Sequence, residues 1–141
     1  MADAFVDTSF VVALINKNDQ YHEQAIELAS RFDKRRLVTT DAVLLEVGNA
    51  LARNFKAESI QIIEHFIAAD EIQIIHLNAD LFRRAFELYR SHGDKAWGLV
   101  DCISFVVMRE LNLTEALTAD RHFEQAGLTA LIDRDNLGST K

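Results

Sequence analysis

The stretch Ala4-Phe5-Val6-Asp7-Thr8-Ser9-Phe10-Val11-Val12-Ala13-Leu14-Ile15 decides the fold. A short apolar run meets one acid and two hydroxyls, and a second apolar run follows at once. This order predicts a buried strand ending at Asp7 and a helix opening at Thr8 or Ser9, because Ser and Thr oxygens accept from the open amides of a first helical turn. In open α/β sheets ligands bind beyond the carboxyl ends of the strands, which is where Asp7 would stand.

The remaining chain repeats the alternation. Asn16-Lys17-Asn18-Asp19 reads as a loop, with Asp19 placed to cap a helix over 20–32, and Arg36-Leu37-Val38-Thr39 as a second strand. Asp41 opens a helix to about residue 54 whose apolar stripe is Val43, Leu44, Val47 and Leu51. Glu46, beside that stripe, is expected to point toward the covered side. A helix over 57–69 carries Ile60, Ile63, Phe66 and Ile67 at helical spacing. Ile72-Gln73-Ile74-Ile75-His76-Leu77 is β-rich, and Asn78 is placed to cap a helix over 79–92. Gly93-Asp94-Lys95-Ala96-Trp97-Gly98 is a loop, and 99–111 is apolar almost all round, the mark of a buried helix. Glu115-Ala116-Leu117-Thr118 reads as a strand delivering Asp120, then a helical turn runs to a stop at Gly127, and 129–133 forms a last strand. Strands alternating with helices predict an α/β fold, a three-layer α/β/α sandwich around a mostly parallel sheet.

The 141 residues fit one domain spanning 1–141, with no proline to mark a linker. Apolar residues at 49% and charged residues at 26% match a soluble globular chain. No apolar run approaches the ~18–20 residues of a membrane span, and Met1-Ala2-Asp3-Ala4 lacks the basic flank and cleavage site of a signal peptide. The lone Cys102, inside an apolar run, reads as a small core residue in a reducing compartment, so a cytoplasmic location is expected. A net charge of −7 weighs against general nucleic-acid affinity. Two basic clusters stand against that average: Arg31, Lys34, Arg35 and Arg36, then Arg83, Arg84, Arg90 and Lys95. They read either as solvated helix faces or as phosphate contacts, and net charge does not decide between these.

Asp7, Glu46, Asp101 and Asp120 each adjoin an apolar segment. Each has an ordinary structural reading. Asp7 and Asp120 suit strand ends or helix caps, Asp101 suits a helix dipole, and Glu46 suits the edge of its stripe. As a set they point elsewhere. Asp7 and Asp120 follow separate strands, whose ends share one edge in a parallel sheet. Asp101 sits near the start of a buried helix, where an unpaired carboxylate is costly. Several carboxylates stay ionised within a few ångströms of one another only with cations between them. Hard oxygen ligands select Mg2+ or Mn2+, and no His pair has zinc spacing. Such a cluster suits phosphodiester hydrolysis by a metal-activated water, and local neutralisation answers the objection from net charge. Ser9 and Ser104 lack a Gly-x-Ser-x-Gly elbow, and no Gly-x-x-x-x-Gly-Lys loop cradles a nucleotide. A phospho-acceptor receiver domain also sets acids on strand ends, but its adjacent acid pair after the first strand and its lysine after the last are missing here.

Four motifs in sequence order carry a family resemblance. They are Val6-Asp7-Thr8-Ser9, Glu46 with Asn49-Ala50-Leu51, Val100-Asp101-Cys102-Ile103-Ser104-Phe105, and Leu117-Thr118-Ala119-Asp120-Arg121-His122-Phe123. Together, over nearly the whole chain, they resemble the PIN-domain nucleases, and within them the VapC-type toxins of bacterial toxin–antitoxin pairs. By position the resemblance makes Asp7, Glu46, Asp101 and Asp120 the acidic metal-binding quartet. It makes Thr8, Ser9 and Thr118 hydroxyls of the same pocket, and Asn49 and Asp94 supporting polar groups around it. It implies Mg2+- or Mn2+-dependent endonucleolytic cleavage of RNA, frequently tRNA or rRNA, and a small antitoxin whose C-terminal segment blocks the pocket. It also implies a homodimer, which the apolar surface at Ile60, Ile63, Phe66 and Ile67 suits. A light-scattering mass near the 16.0 kDa of one chain would contradict that dimer. The reading from another class is a PIN-fold module that binds RNA or protein without cutting, and it predicts weak or absent Mg2+ and Mn2+ binding. Trp97 has two readings, a platform for a stacked base or an anchor for its loop.

Overall fold

Ala4, Phe5 and Val6 carry no polar side chain, and as strand β1 (Ala4–Val6) each is fully buried. A strand can be apolar throughout only where helices cover both faces and neighbours pair both edges. Four more strands supply the sheet: β2 (Leu37–Thr40), β3 (Ile72–Ile75), β4 (Glu115–Leu117) and β5 (Thr129–Ala130). Their order is β3-β2-β1-β4-β5 with every pairing parallel, so β1 is the central strand. The helices are α1 (Thr8–Ile15), α2 (His22–Arg31), α3 (Asp41–Leu51), α4 (Lys56–Ala68), α5 (Ala79–Ser91), α6 (Leu99–Glu110) and α7 (Arg121–Gln125). They complete the three-layer α/β/α sandwich that the alternation predicts. The computed structural model describes residues 2–135; Met1 and residues 136–141, which the expected single-domain span 1–141 includes, lie outside the described residues.

The winding of the sheet places the site. From β1 the chain moves outward through β2 to β3, then crosses back to β4 on the other side of β1 and out to β5. The direction reverses between β1 and β4, and a crevice opens at such a switch point beyond the carboxyl ends of the strands. Register sets Val6 beside Leu117, and the Asp7 amide donates to the Leu117 carbonyl at 3.1 Å. Asp7 and Thr118 therefore leave the sheet side by side. Beneath them, the edge of Phe105 from α6 meets the Phe123 ring of α7 at 5.0 Å, and Phe5 lies 6.4 Å from Phe123. Helix α6 buries six of its residues, from Cys102 to Met108, as its apolar composition predicts.

Several boundaries and caps depart from expectation for local reasons. Neither Thr8 nor Ser9 caps α1: Asp7 holds the cap position without a side-chain cap bond, and both hydroxyls turn to other carboxylates. Asp19 does not cap a helix beginning at residue 20. Its carboxylate takes the Tyr21 amide at 2.8 Å, a turn that delays α2 to His22. Thr40, not Asp41, caps α3, its hydroxyl accepting from the Val43 amide at 3.1 Å. Asp41 is free to accept from the Leu77 amide at 3.0 Å and to meet the His76 ring, which draws His76 and Leu77 out of β3. On α4, Phe66 is core, Ile63 is partly buried, and the large exposed apolar side chains are Ile60 and Ile67.

Candidate metal-binding active site

The crevice at the switch point is an open cavity of about 390 Å³ lined by Asp7, Thr8, Ser9, Val12, Asp19, Glu46, Asp101, Asp120 and His122. All four acids singled out in the sequence thus face one space, although they come from the β1–α1 junction, α3, α6 and the β4–α7 turn. Asp7 is the most deeply placed, 5% exposed at the end of β1. Burial without full charge compensation is expensive, so its partners matter. The Thr118 hydroxyl donates to Asp7 Oδ2 at 2.7 Å, and the Ser9 hydroxyl lies 3.2 Å from the same oxygen. Ser9 and Thr118 are 3.0 Å apart, and each also accepts a main-chain amide, from Ala119 and Asp120 respectively. Two short hydroxyls therefore tie the Asp7 carboxylate to the β4–α7 turn. Burial nevertheless pushes Asp7 up from 3.8 to about 6, the hydroxyl and amide donors pull against that shift, and the charges of Asp101 and Asp120 add to it.

Asp101 stands in the first turn of α6. Its Oδ2 accepts the Gly98 amide at 3.0 Å, closing the open N-terminus of the helix, and faces His122 Nδ1 at 3.0 Å. Its carboxyl too is raised, chiefly by burial and then by the charge of Asp120, while the Gly98 amide and His122 oppose the rise. Asp120 caps α7, its Oδ1 accepting from the His122 amide at 2.9 Å and lying 3.3 Å from His122 Nδ1. The capping reading and the site reading of Asp120 are both satisfied by one carboxylate. Glu46 departs from expectation. It is exposed rather than covered, because the buried face of α3 is Ala42, Val43, Val47 and Leu51, and Glu46 sits at its margin. From there its Oε1 reaches over the cavity rim to the Thr8 hydroxyl at 2.7 Å.

Two residues assigned a supporting part do not join the group. Asn49 is exposed on α3 and does not line the cavity, and Asp94 is exposed and pairs with Lys95 at 3.2 Å. Two others were missed. Asp19 lines the cavity from the α1–α2 loop, and His122 sits between Asp101 and Asp120. An acid two residues before a histidine, just past a strand, was the available signal for His122.

The loop before α6 owes its position to Trp97. This side chain is 5% exposed, packs edge-on against Phe105 at 5.1 Å, and donates from Nε1 to Gln125 at 3.0 Å. Trp97 is the loop's anchor, and the base-stacking role lapses because the ring is covered. Cys102, next to Asp101, is buried with its thiol pushed up to about 11, which makes it an inert core residue. The second basic cluster is internally neutralised: Arg83 and Arg84 pair with Asp80, Arg84 also with Glu110, Arg90 with Glu87 and Lys95 with Asp94. In the first cluster Arg35 pairs with Asp3. No helix among the described residues is long and apolar enough to cross a membrane.

Comparison with known proteins bears on this geometry. The PIN domain family matches residues 4–128. The 23S rRNA-specific endonuclease VapC20 of Mycobacterium tuberculosis is 32% identical over 124 residues, covering 87% of this chain and 93% of that protein. The crystal structure of M. tuberculosis VapC20, described as a sarcin–ricin loop cleaving toxin, superposes with a TM-score of 0.82 at 29% identity, covering 90% of this chain and 97% of that one. VapBC2 from Rickettsia felis, bound to a promoter DNA fragment, shares the fold with a TM-score of 0.62 at 18% identity over 90% of this chain and 96% of that one. On these matches the chain belongs to the PIN domain family, on its VapC-type branch.

Proposed function

We propose that this chain is a Mg2+- or Mn2+-dependent endoribonuclease and the toxin of a bacterial toxin–antitoxin pair, built as one domain over 1–141 and acting in the cytoplasm. The observation that carries the reading is the convergence of Asp7, Glu46, Asp101 and Asp120 on one cavity at the sheet's switch point. The kinship with VapC20 supports RNA as substrate, and the specificity of that protein for 23S rRNA makes a ribosomal stem-loop the substrate class to try first.

The residues fit a divalent ion. Asp7 and Asp101 are raised because burial and neighbouring acids leave their charges incompletely balanced, which is the condition a cation relieves. Asp7, Asp101 and Asp120 would hold the ion, with Glu46 at the rim. When bound, it would supply Lewis-acid polarisation of a phosphoryl oxygen and acidify an attacking water. The chain's own residues do the rest. Thr118 and Ser9 fix the Asp7 carboxylate from beneath, Gly98 fixes Asp101 from the helix end, and the amide of His122 fixes Asp120. Glu46, exposed and bonded only to the Thr8 hydroxyl among the described residues, is placed to accept a proton from a water at the rim. The arginines on α5 are all paired with acids, so attraction of the phosphate backbone near the cavity falls chiefly to the ion.

A small antitoxin is the partner, and an occupant of the cavity that offers a cation would suit its acids. The homodimer rests on exposed apolar surface, at Ile60 and Ile67 of α4 and in the stacked Phe82-Phe86-Tyr89 row of α5. Light scattering should give about twice the chain mass of 16.0 kDa. Metal removal tests the activity: a labelled ribosomal stem-loop should be cut in Mg2+ or Mn2+, spared in excess chelator, and cut again on readdition. Equal cleavage with and without chelator would sink the metal reading. Tight metal binding without cleavage of any RNA would favour a non-catalytic binding module.

A further inference from the structure

His122 stands with its ring between two acids of the cavity. Its backbone amide serves Asp120, but its ring points back across α7 so that Nδ1 faces Asp101 Oδ2 at 3.0 Å and Asp120 Oδ1 at 3.3 Å. One ring nitrogen carries at most one hydrogen, so Nδ1 donates fully to one of the two oxygens, which also accept the amides of Gly98 and of His122 itself. A hydrogen bond accounts for the approach to Asp101, and the cap brings Asp120 close. A shared cation would use all three atoms at once. Ligands about 2.1 Å from a six-coordinate ion stand roughly 3.0 Å apart along an edge, and one ligand atom each from Asp101, Asp120 and His122 lies within 4.8 Å of the others. The ring is also held firmly, because the next residue, Phe123, is buried against Phe5 and Phe105 and fixes the α7 turn. Amides that orient two carboxylates from behind are the usual support of a built ligand set.

We infer that His122 Nδ1 is a nitrogen ligand alongside Asp101 and Asp120, and that it makes the site favour Mn2+ over Mg2+. Mg2+ takes oxygen donors and keeps its waters, whereas imidazole binds transition ions. One nitrogen among carboxylates therefore raises affinity for Mn2+ with little gain for Mg2+. His122 sets which metal is held. This rests on the divalent-metal reading above and adds the nitrogen to it.

The test uses the full chain, stripped with chelator and reloaded with Mn2+, and reads pulsed electron paramagnetic resonance for hyperfine coupling to a ligand nitrogen. The parent should show that coupling, and His122→Gln should lose it. By calorimetric titration, His122→Gln should lose ~10-fold or more in Mn2+ affinity, while Mg2+ affinity changes less than about threefold. His122→Asn serves as a second variant if the glutamine protein melts early. Coupling that persists in the variants would come from one of the other four histidines and would overturn the assignment; five are present in all. Mn2+ bound by the parent with no nitrogen coupling would overturn it too, while leaving the all-oxygen metal site standing. No binding of either ion would overturn both.

Discussion

Asp101→Asn is expected to cut RNA cleavage by ~1,000-fold or more while the protein stays folded. The fold survives because asparagine keeps the side-chain oxygen that accepts the Gly98 amide, so the first turn of α6 remains closed. The core around it, from Cys102 to Met108, is untouched. What disappears is one full negative charge from a partly buried group of three, and with it much of the attraction for a divalent ion. A metal centre contributes several kcal/mol of transition-state stabilisation. Losing about 4 kcal/mol of that corresponds to ~1,000-fold in rate. Single-turnover cleavage of a labelled stem-loop at fixed Mg2+ reads the effect, with thermal melting as the control for folding. Cleavage within about threefold of the parent, at normal melting, would remove Asp101 from the machinery.

How far the chain disclosed this in advance differs from residue to residue. The β1–Asp7–α1 junction was legible because a fully apolar strand followed by an acid has few other interpretations. Asp7 and Asp120 could be brought together on paper because parallel strands end on one edge, and β1 and β4 do pair. The hydroxyls of Thr8 and Ser9 were misread as helix caps. Local sequence shows a helix start, but not that buried Asp7, held by Thr118 from 111 residues away, claims the Ser9 hydroxyl, nor that Glu46, 38 residues on, claims that of Thr8. Glu46 was expected to be covered because spacing gives a helix face only to within one residue, and the stripe turned just far enough to leave it at the rim. His122 escaped notice for a different reason. It meets Asp101 across 21 residues through the α7 turn, a contact that no spacing rule encodes. The charge of α5 was equally opaque, because ion pairs three and four residues apart cancel arginines that look free in a list of letters.

Asp7→Asn should have opposite effects on the two states of the protein, making the metal-free form more stable and the metal-loaded form less so. In the folded chain Asp7 is raised from 3.8 to about 6 by burial first and by Asp101 and Asp120 next, opposed by the Thr118 hydroxyl. Between about pH 4 and pH 6 the folded state therefore binds a proton that the unfolded state has released. Stability falls as pH rises through that window, and the loss is complete above it. At about 1.4 kcal/mol per unit, a rise of roughly two units sets an upper limit near 3 kcal/mol, part of which asparagine forfeits by burying its own amide group. In chelator at pH 8 the variant should melt ~3–8 °C above the parent. The gap should close as pH falls through 6 and vanish near 4, where the parent's Asp7 takes up its proton. Saturating Mn2+ should reverse the order, since a ligand at 100 times its dissociation constant adds about 2.7 kcal/mol to the form that binds it, and only the parent binds well. A variant that melts below the parent in chelator at every pH would mean that the cost lies in packing and not in an uncompensated charge. Asp7 would then have no stored electrostatic strain for a cation to relieve, and the physical ground for placing the ion against β1 would be gone.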